Sequence, residues 1–196
     1  DSDGNASNTL SVTSFIVDTT TSSPSSGSGV IVAVGYSGTI IRSSDNGSSF
    51  DNVTSPTANH LYEVTSGNNT FVAIGASGNI VRSTDNGSSW DNATIDNSTA
   101  NNFLGVTFGN NTFAVVGGDA VSGDSKILRS TDNGSSWDYV TSPTSNGPNT
   151  VRFGNNTFVA VGASGNIVRS TDNGSSFDNV TSVNSQYLYG ITFGNN

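Results

Sequence analysis

The side chains able to do chemistry are few, and they converge on no reaction. Glu63 is the only glutamate and His60 the only histidine in 196 residues. A Ser-His-Asp triad needs its histidine beside a serine on a nucleophile elbow, and no elbow sequence is present. Glycoside hydrolysis by the retaining route takes two carboxyl groups in different environments, and nothing marks such a pair around Glu63. There is no Walker sequence, and the many Gly-x-x-Gly spacings read as turns between strands. Four Asp-Asn-Gly triplets begin at Asp45, Asp85, Asp132 and Asp172. An EF-hand loop would close on a glutamate at its twelfth position, which every triplet lacks. Cysteine is absent, so disulfides and thiolate metal sites are excluded. The expected catalytic, cofactor-binding and metal-binding residues are therefore none, and the chain is expected not to be an enzyme.

The basic residues are ordered by something other than a substrate. Arg42, Arg82, Arg129 and Arg169 occupy one repeated position, each just before an Asp-Asn-Gly triplet. A residue carried by every unit of an array is spread around it and cannot gather on one ligand. These arginines are expected to pair with nearby acids, the candidates being Asp51, Asp91, Asp138 and Asp178. Arg152 is the exception and stands alone.

The elements that must position these residues come from an internal repeat. Four octapeptides read Ser-x-Asp-Asn-Gly-Ser-Ser-aromatic. Their defining residues are Ser43, Asp45, Gly47 and Phe50; Ser83, Asp85, Gly87 and Trp90; Ser130, Asp132, Gly134 and Trp137; and Ser170, Asp172, Gly174 and Phe177. The aspartates are spaced by 40, 47 and 40 residues, the long interval reflecting an insertion near Gly118–Ser125 and a longer preceding linker. Before each octapeptide runs a segment such as Thr157-Phe-Val-Ala-Val-Gly-Ala-Ser-Gly-Asn-Ile-Val-Arg. A Gly-Asn-Asn precedes it at Gly67, Gly109 and Gly154, and a last copy stands at Gly194.

Each unit divides into four short strands rich in β-branched and aromatic residues, with Gly, Asn, Asp and Ser clustered between them. No helical period is present. The second strand is apolar on both faces, as expected of a strand held between neighbouring sheets. The expected fold is all-β: a β-propeller of four four-stranded antiparallel blades, with a surplus terminal strand. Residues 1–28 are read as an N-terminal extension with a candidate strand at 10–18 and a Ser/Thr/Pro/Gly linker, and 29–196 as the propeller.

The octapeptide resembles the Asp-box (BNR) repeat of sialidases and related propellers, over about Val30 to Asn196. The family pattern is Ser-x-Asp-x-Gly-x-x-Trp; Trp90 and Trp137 match it in full, and Phe50 and Phe177 replace the tryptophan. The resemblance implies a propeller in which the aspartate clasps a hairpin. It carries little about function, since this fold hosts many unrelated ones. Sialidases of this kind use an arginine triad, a Tyr–Glu pair and a catalytic Asp, which the repeated arginines and single glutamate here do not supply.

Composition bounds the partners. The net charge is −9 with Lys126 the only lysine, so no basic patch offers itself to phosphate, and neither nucleic-acid binding nor membrane insertion is expected. The chain opens at Asp1 without a leader, which is read as a trimmed mature form. Asn-x-Ser/Thr sequons mark candidate N-glycosylation at Asn5, Asn52, Asn68, Asn92, Asn97, Asn110, Asn155 and Asn179; those at Asn46, Asn86, Asn133 and Asn173 fall on the octapeptide turns. Five candidate first strands serve four blades, because both Leu10–Asp18 and Tyr187–Asn196 could complete the first one. A spare strand can add to an exposed sheet edge. The expected function is thus a non-enzymatic extracellular or cell-surface structural protein, a homo-oligomer or filament built by strand addition. The alternative is a glycan- or protein-binding propeller, motivated by Tyr36, Tyr62, Tyr139, Tyr187 and Tyr189.

Overall fold

The computed structural model describes residues 29–95, 101–119 and 124–194. The extension 1–28 with its strand 10–18, and the sequons at Asn5 and Asn97, lie outside the described residues.

Each repeat unit folds into its own antiparallel sheet. The first holds β1 (Ile31–Val34), β2 (Ile40–Ser43) and β3 (Asp51–Val53). The second holds β4 (Leu61–Gly67), β5 (Thr70–Gly75), β6 (Ile80–Ser83) and β7 (Asp91–Asn92), and is followed by the short β8 (Thr94–Ile95). The third holds β9 (Phe103–Gly109), β10 (Thr112–Asp119), β11 (Asp124–Ser130) and β12 (Ser136–Val140). The fourth holds β13 (Pro148–Gly154), β14 (Thr157–Gly162), β15 (Ile167–Ser170) and β16 (Asp178–Asn179). These are four propeller blades; the second, third and fourth run from a seven-residue inner strand to a shorter outer one.

Two details differ from the sequence expectation. The first blade has three strands among the described residues, because its inner strand is not supplied there. The third gains a fifth, since β8 adds in parallel to the outer edge of β12 through Ser136↔Thr94 and Trp137↔Ile95.

Stacking of the blades makes the core. Val72 and Ile74 on β5 face the third blade, where Phe103, Phe113, Val115 and Trp137 receive them. Ala73, between them, faces the first blade with Val81 and Trp90. Alternation along one strand thus serves two interfaces, which is why the strand reads as apolar throughout. A third cluster joins Ala114, Val116 and Ile127 to Val151, Phe158, Val168 and Phe177. Three such clusters hold four blades in the order of the sequence.

The octapeptides close the hairpins between third and outer strands. In the third blade Ser130 Oγ donates to Asp132 Oδ1 at 2.7 Å and accepts from Gly134 N at 2.9 Å. The other carboxylate oxygen accepts from Ser136 Oγ at 2.6 Å. The same set recurs around Asp45, Asp85 and Asp172. The asparagine of each triplet and the glycine after it both take positive φ, as at Asn133 (59°) and Gly134 (74°), which the hairpin requires. The aromatic at position eight packs back onto the preceding blade, and Trp137 Nε1 also donates to Gly134 O at 3.2 Å.

These bonds favour the ionised carboxylate. Burial works against ionisation at Asp132, yet donors from Ser136 and Ser130 hold its pKa down to about 2. Ser176 and Ser170 do the same at Asp172, also to about 2. Unfolded carboxylates take up protons nearer 3.8, so the clasps stabilise the fold above that pH and lose their effect as pH falls toward 2. The urea midpoint is expected to drop between pH 4 and 2, and Asp132→Asn with Asp172→Asn to flatten that drop while lowering the midpoint at pH 7. A midpoint unchanged across this window contradicts the assignment.

Candidate functional site

Two residues that break the repeat meet on the inner strands. Position 63 is glutamate where the corresponding residues are Gly105, Thr150 and Gly190, and position 152 is arginine where the others are Thr65, Thr107 and Thr192. Glu63 lies on β4 of the second blade, and Arg152 on β13 of the fourth. Arg152 Nη1 donates to Glu63 Oε1 at 2.9 Å. The backbone N–H of Val106, on β9 between them, donates to Glu63 Oε2 at 2.7 Å. One carboxylate therefore ties three inner strands together.

The site is closed. Glu63 is 7% exposed, and only the guanidinium of Arg152, with its side chain 38% exposed, reaches water. Burial pushes the Glu63 carboxyl up; the charge of Arg152 and the Val106 N–H oppose it. Gly105 lets the inner strand of the fourth blade approach, since a Cβ there would crowd the backbone at Thr150. With both oxygens engaged, this carboxylate fixes strand positions.

The other candidates do not join it. His60 stands just before β4, where its Nδ1 accepts from Ser37 N at 2.9 Å and its ring meets Tyr36 edge-on at 4.7 Å. The repeated arginines do not pair with Asp51, Asp91, Asp138 and Asp178, although the ladders place each directly opposite one. Arg42 Nε instead donates to the carbonyl of Asn86 at 2.6 Å, and Arg129 Nε to that of Asn173 at 2.9 Å. Each reaches the octapeptide of the next blade, a carbonyl that sequence proximity does not reveal. Arg82 holds the same position with its Nε buried and unpartnered, and Arg169 is exposed on the far side of the fourth blade.

The tyrosines are dispersed. Tyr36 lies on a turn, Tyr139 on an outer strand beside Lys126 at 6.0 Å, and Tyr187 stacks on Tyr189 at 6.1 Å before the chain's last described segment. Tyr62 and Tyr189 share one repeat position, which Leu104 and Asn149 fill in the other units, so no tyrosine recurs in every blade. A groove of about 440 Å³ runs between residues 52–56 and Ser88–Trp90, with no titratable side chain in its lining. Among the described residues no group of three or more His, Asp or Glu is placed to hold a metal ion, and no helix is long and apolar enough to cross a membrane.

Comparison with known proteins places the fold. No family model matches the chain, and no curated protein does. Among solved structures it is similar to YCF48 from Cyanidioschyzon merolae, at 17% identity over 83% of this chain and 57% of that one, with a TM-score of 0.58. YCF48 bound to D1 peptide gives 20% identity, 65% and 41% coverage, and a TM-score of 0.55. An ancestral GH74 enzyme gives 20%, 79% and 22%, and 0.62. The computationally designed Ika8 protein gives 11%, 86% and 51%, and 0.63. The fold is that of β-propellers, and the chain spans between about a fifth and three fifths of these longer chains.

The Glu63–Arg152 pair predicts a specific double-mutant cycle. Glu63→Gly leaves the Val106 N–H without its acceptor and Arg152 without its partner, and is expected to cost about 1–3 kcal/mol. Arg152→Thr strands a buried carboxylate and is expected to cost a similar amount. The double variant restores residues used elsewhere in the repeat and should cost less than the sum. Additive losses in urea unfolding contradict the pairing.

Proposed function

We propose that the chain is a non-enzymatic, extracellular structural protein that assembles by adding a terminal strand of one copy to a blade edge of another. The observation that carries this reading is the placement of residues 188–193. Leu188 N donates to Gly162 O at 2.9 Å, as Leu61 N donates to Gly35 O at 3.0 Å between the first two blades. A Cβ at Gly154 would overlap the ring of Phe193, as one at Gly67 would overlap Phe108 and one at Gly109 would overlap Phe153. The segment thus sits where the inner strand of a next blade belongs, and it joins no ladder among the described residues. The first blade offers the complementary edge on β1.

In this reading the octapeptides are Asp boxes of the BNR kind serving as hairpin clasps, and the glycans of a surface protein sit on the outer strands. Asn52, Asn92 and Asn179 are exposed there, at one repeat position. Asn68, Asn110 and Asn155 instead form tight turns with φ near 48°, and Asn68 Nδ2 already donates to Asn133 Oδ1 at 3.2 Å. A second reading, a peptide-binding propeller, is favoured by the exposure of Tyr36, Tyr187 and Tyr189 at the end of the blades that carries the turns after the second strands. The likeness to YCF48 bound to D1 peptide supports it at the level of fold.

Two measurements test the main reading. The full chain should elute as an assembly on size exclusion with light scattering, and removal of residues 187–196 should return it to single chains; a strict monomer at high concentration contradicts assembly. Secreted from a glycosylating host, the protein should carry glycans at Asn52, Asn92 and Asn179 before the turn asparagines; intact mass without glycan contradicts that part.

A further inference from the structure

We propose that the groove beside Trp90, between the first and second blades, seats an extended, uncharged segment of a partner protein. The backbone of that segment adds in parallel to Ser89 and Trp90, and its β-branched aliphatic side chain packs beside Trp90. The site lies among the outer strands and does not depend on the assembly proposed above.

The chain itself shows what covers such an edge. In the third blade β8, from the linker after the second blade, pairs through Thr94 with Ser136 and through Ile95 with Trp137. Ala93 and Ile95 pack there on the core cluster that holds Trp137. The second blade carries the same edge. Trp90 Nε1 donates to Gly87 O at 3.1 Å, as Trp137 Nε1 does to Gly134 O at 3.2 Å. Ser89 N donates to Asp85 Oδ1 at 2.9 Å, as Ser136 N does to Asp132 Oδ1 at 3.0 Å. Since β8 pairs in the third blade with these bonds intact, the clasp does not use up the edge. Yet Ser89 and Trp90 join no ladder among the described residues.

The linker sequences account for the difference. The second unit reads Asp91-Asn-Ala-Thr-Ile, and the first reads Asp51-Asn-Val-Thr-Ser followed by Pro56. Ser55, at the place of Ile95, donates through Oγ to Thr57 O at 3.1 Å and accepts from Thr57 N at 3.3 Å. This hydroxyl turn bends the chain away where β8 runs straight on, and Pro56 has no N–H with which to extend a ladder. The third unit makes the same turn at Ser142. What the first linker leaves behind is the groove of about 440 Å³ between residues 52–56 and 88–90. Val53 and Trp90 belong to one core cluster and give the groove an apolar side. The rest of its lining is Asn, Thr, Ser and Pro, with no charged side chain. A charge carried into it would lose water and meet no partner, so the segment that fits is uncharged. Main-chain bonds along such an edge supply affinity, and the side-chain seat supplies selectivity.

The test is a titration of the isotope-labelled full chain with the acetylated and amidated peptide Asn-Ala-Thr-Ile, the sequence of residues 92–95. The protein is made without glycans, because Asn52 lines the groove. Amide and indole N–H signals are expected to shift saturably at residues 53–55 and 88–90, and not at Ser136 and Trp137, whose edge is filled. Replacing the peptide's Ile by Asp is expected to weaken binding about tenfold or more. No saturable shift, shifts confined to other residues, or equal binding of the Asp peptide overturns the proposal. The Ser55→Ile/Pro56→Asp variant gives the first unit the linker residues of the second and is expected to abolish the peptide shifts at 88–90. Undiminished binding by the folded variant also overturns the proposal; if the variant does not fold, the titration of the unaltered chain decides alone. The readout is residue by residue, so a failed titration leaves assembly through 188–193 standing, and a monomeric chain leaves the groove standing.

Discussion

Each blade is a small sheet with two apolar faces, and neither face can be left in water. A single inner residue such as Val72 or Val115 contributes on the order of 1.5–3 kcal/mol when buried. A blade on its own hides one face of its strands at best, so stability accrues at the interfaces between blades, as in other repeat arrays. The sequence is consistent with that demand. Strand two alternates side chains between two clusters, the octapeptide aromatic points back to the preceding blade, and Arg42 and Arg129 at the end of strand three reach forward to the next. Every repeated contact has a direction, so an array of such units has two unlike ends.

The contacts that do not repeat have another role. Glu63 and Arg152 replace residues that elsewhere are Gly or Thr, and they link the second, third and fourth inner strands through the Val106 N–H. A repeat of identical contacts specifies how neighbours sit but not which neighbour is which. One charge pair in a singular place marks three otherwise similar blades, at the cost of desolvating a carboxylate. The fold relates the chain to propellers of differing activity, among them an enzyme and a peptide-bound protein, and a shared fold does not carry function. Glu63 and Arg152 hold inner strands together, and the octapeptide aspartates hold hairpins.

Much of this was legible in the sequence because the repeat is strong. Four octapeptides, the Gly-Asn-Asn turns and the apolar second strands fixed blade number, strand order and the hairpin clasps. The Glu63–Arg152 contact was not legible, since the residues are 89 apart and each looks like a lone departure from the pattern. Comparison of equivalent positions was the available signal: two opposite charges, each replacing a small residue on an inner strand. The arginine partners were missed for a different reason. A backbone carbonyl one blade away has no sequence signature, whereas a facing aspartate does. The parallel addition of β8 was hidden too, because two residues show no period.

The central claim of the proposed assembly is that segment 188–193 of one copy covers the β1 edge of another. Amide hydrogen exchange at Ile31–Val34 and 188–193 tests it most directly. Paired edges predict protection comparable to that of β5 and β14 at working concentration, lost on dilution to single chains. Rapid exchange at both segments at every concentration, with the inner blades protected, contradicts the account.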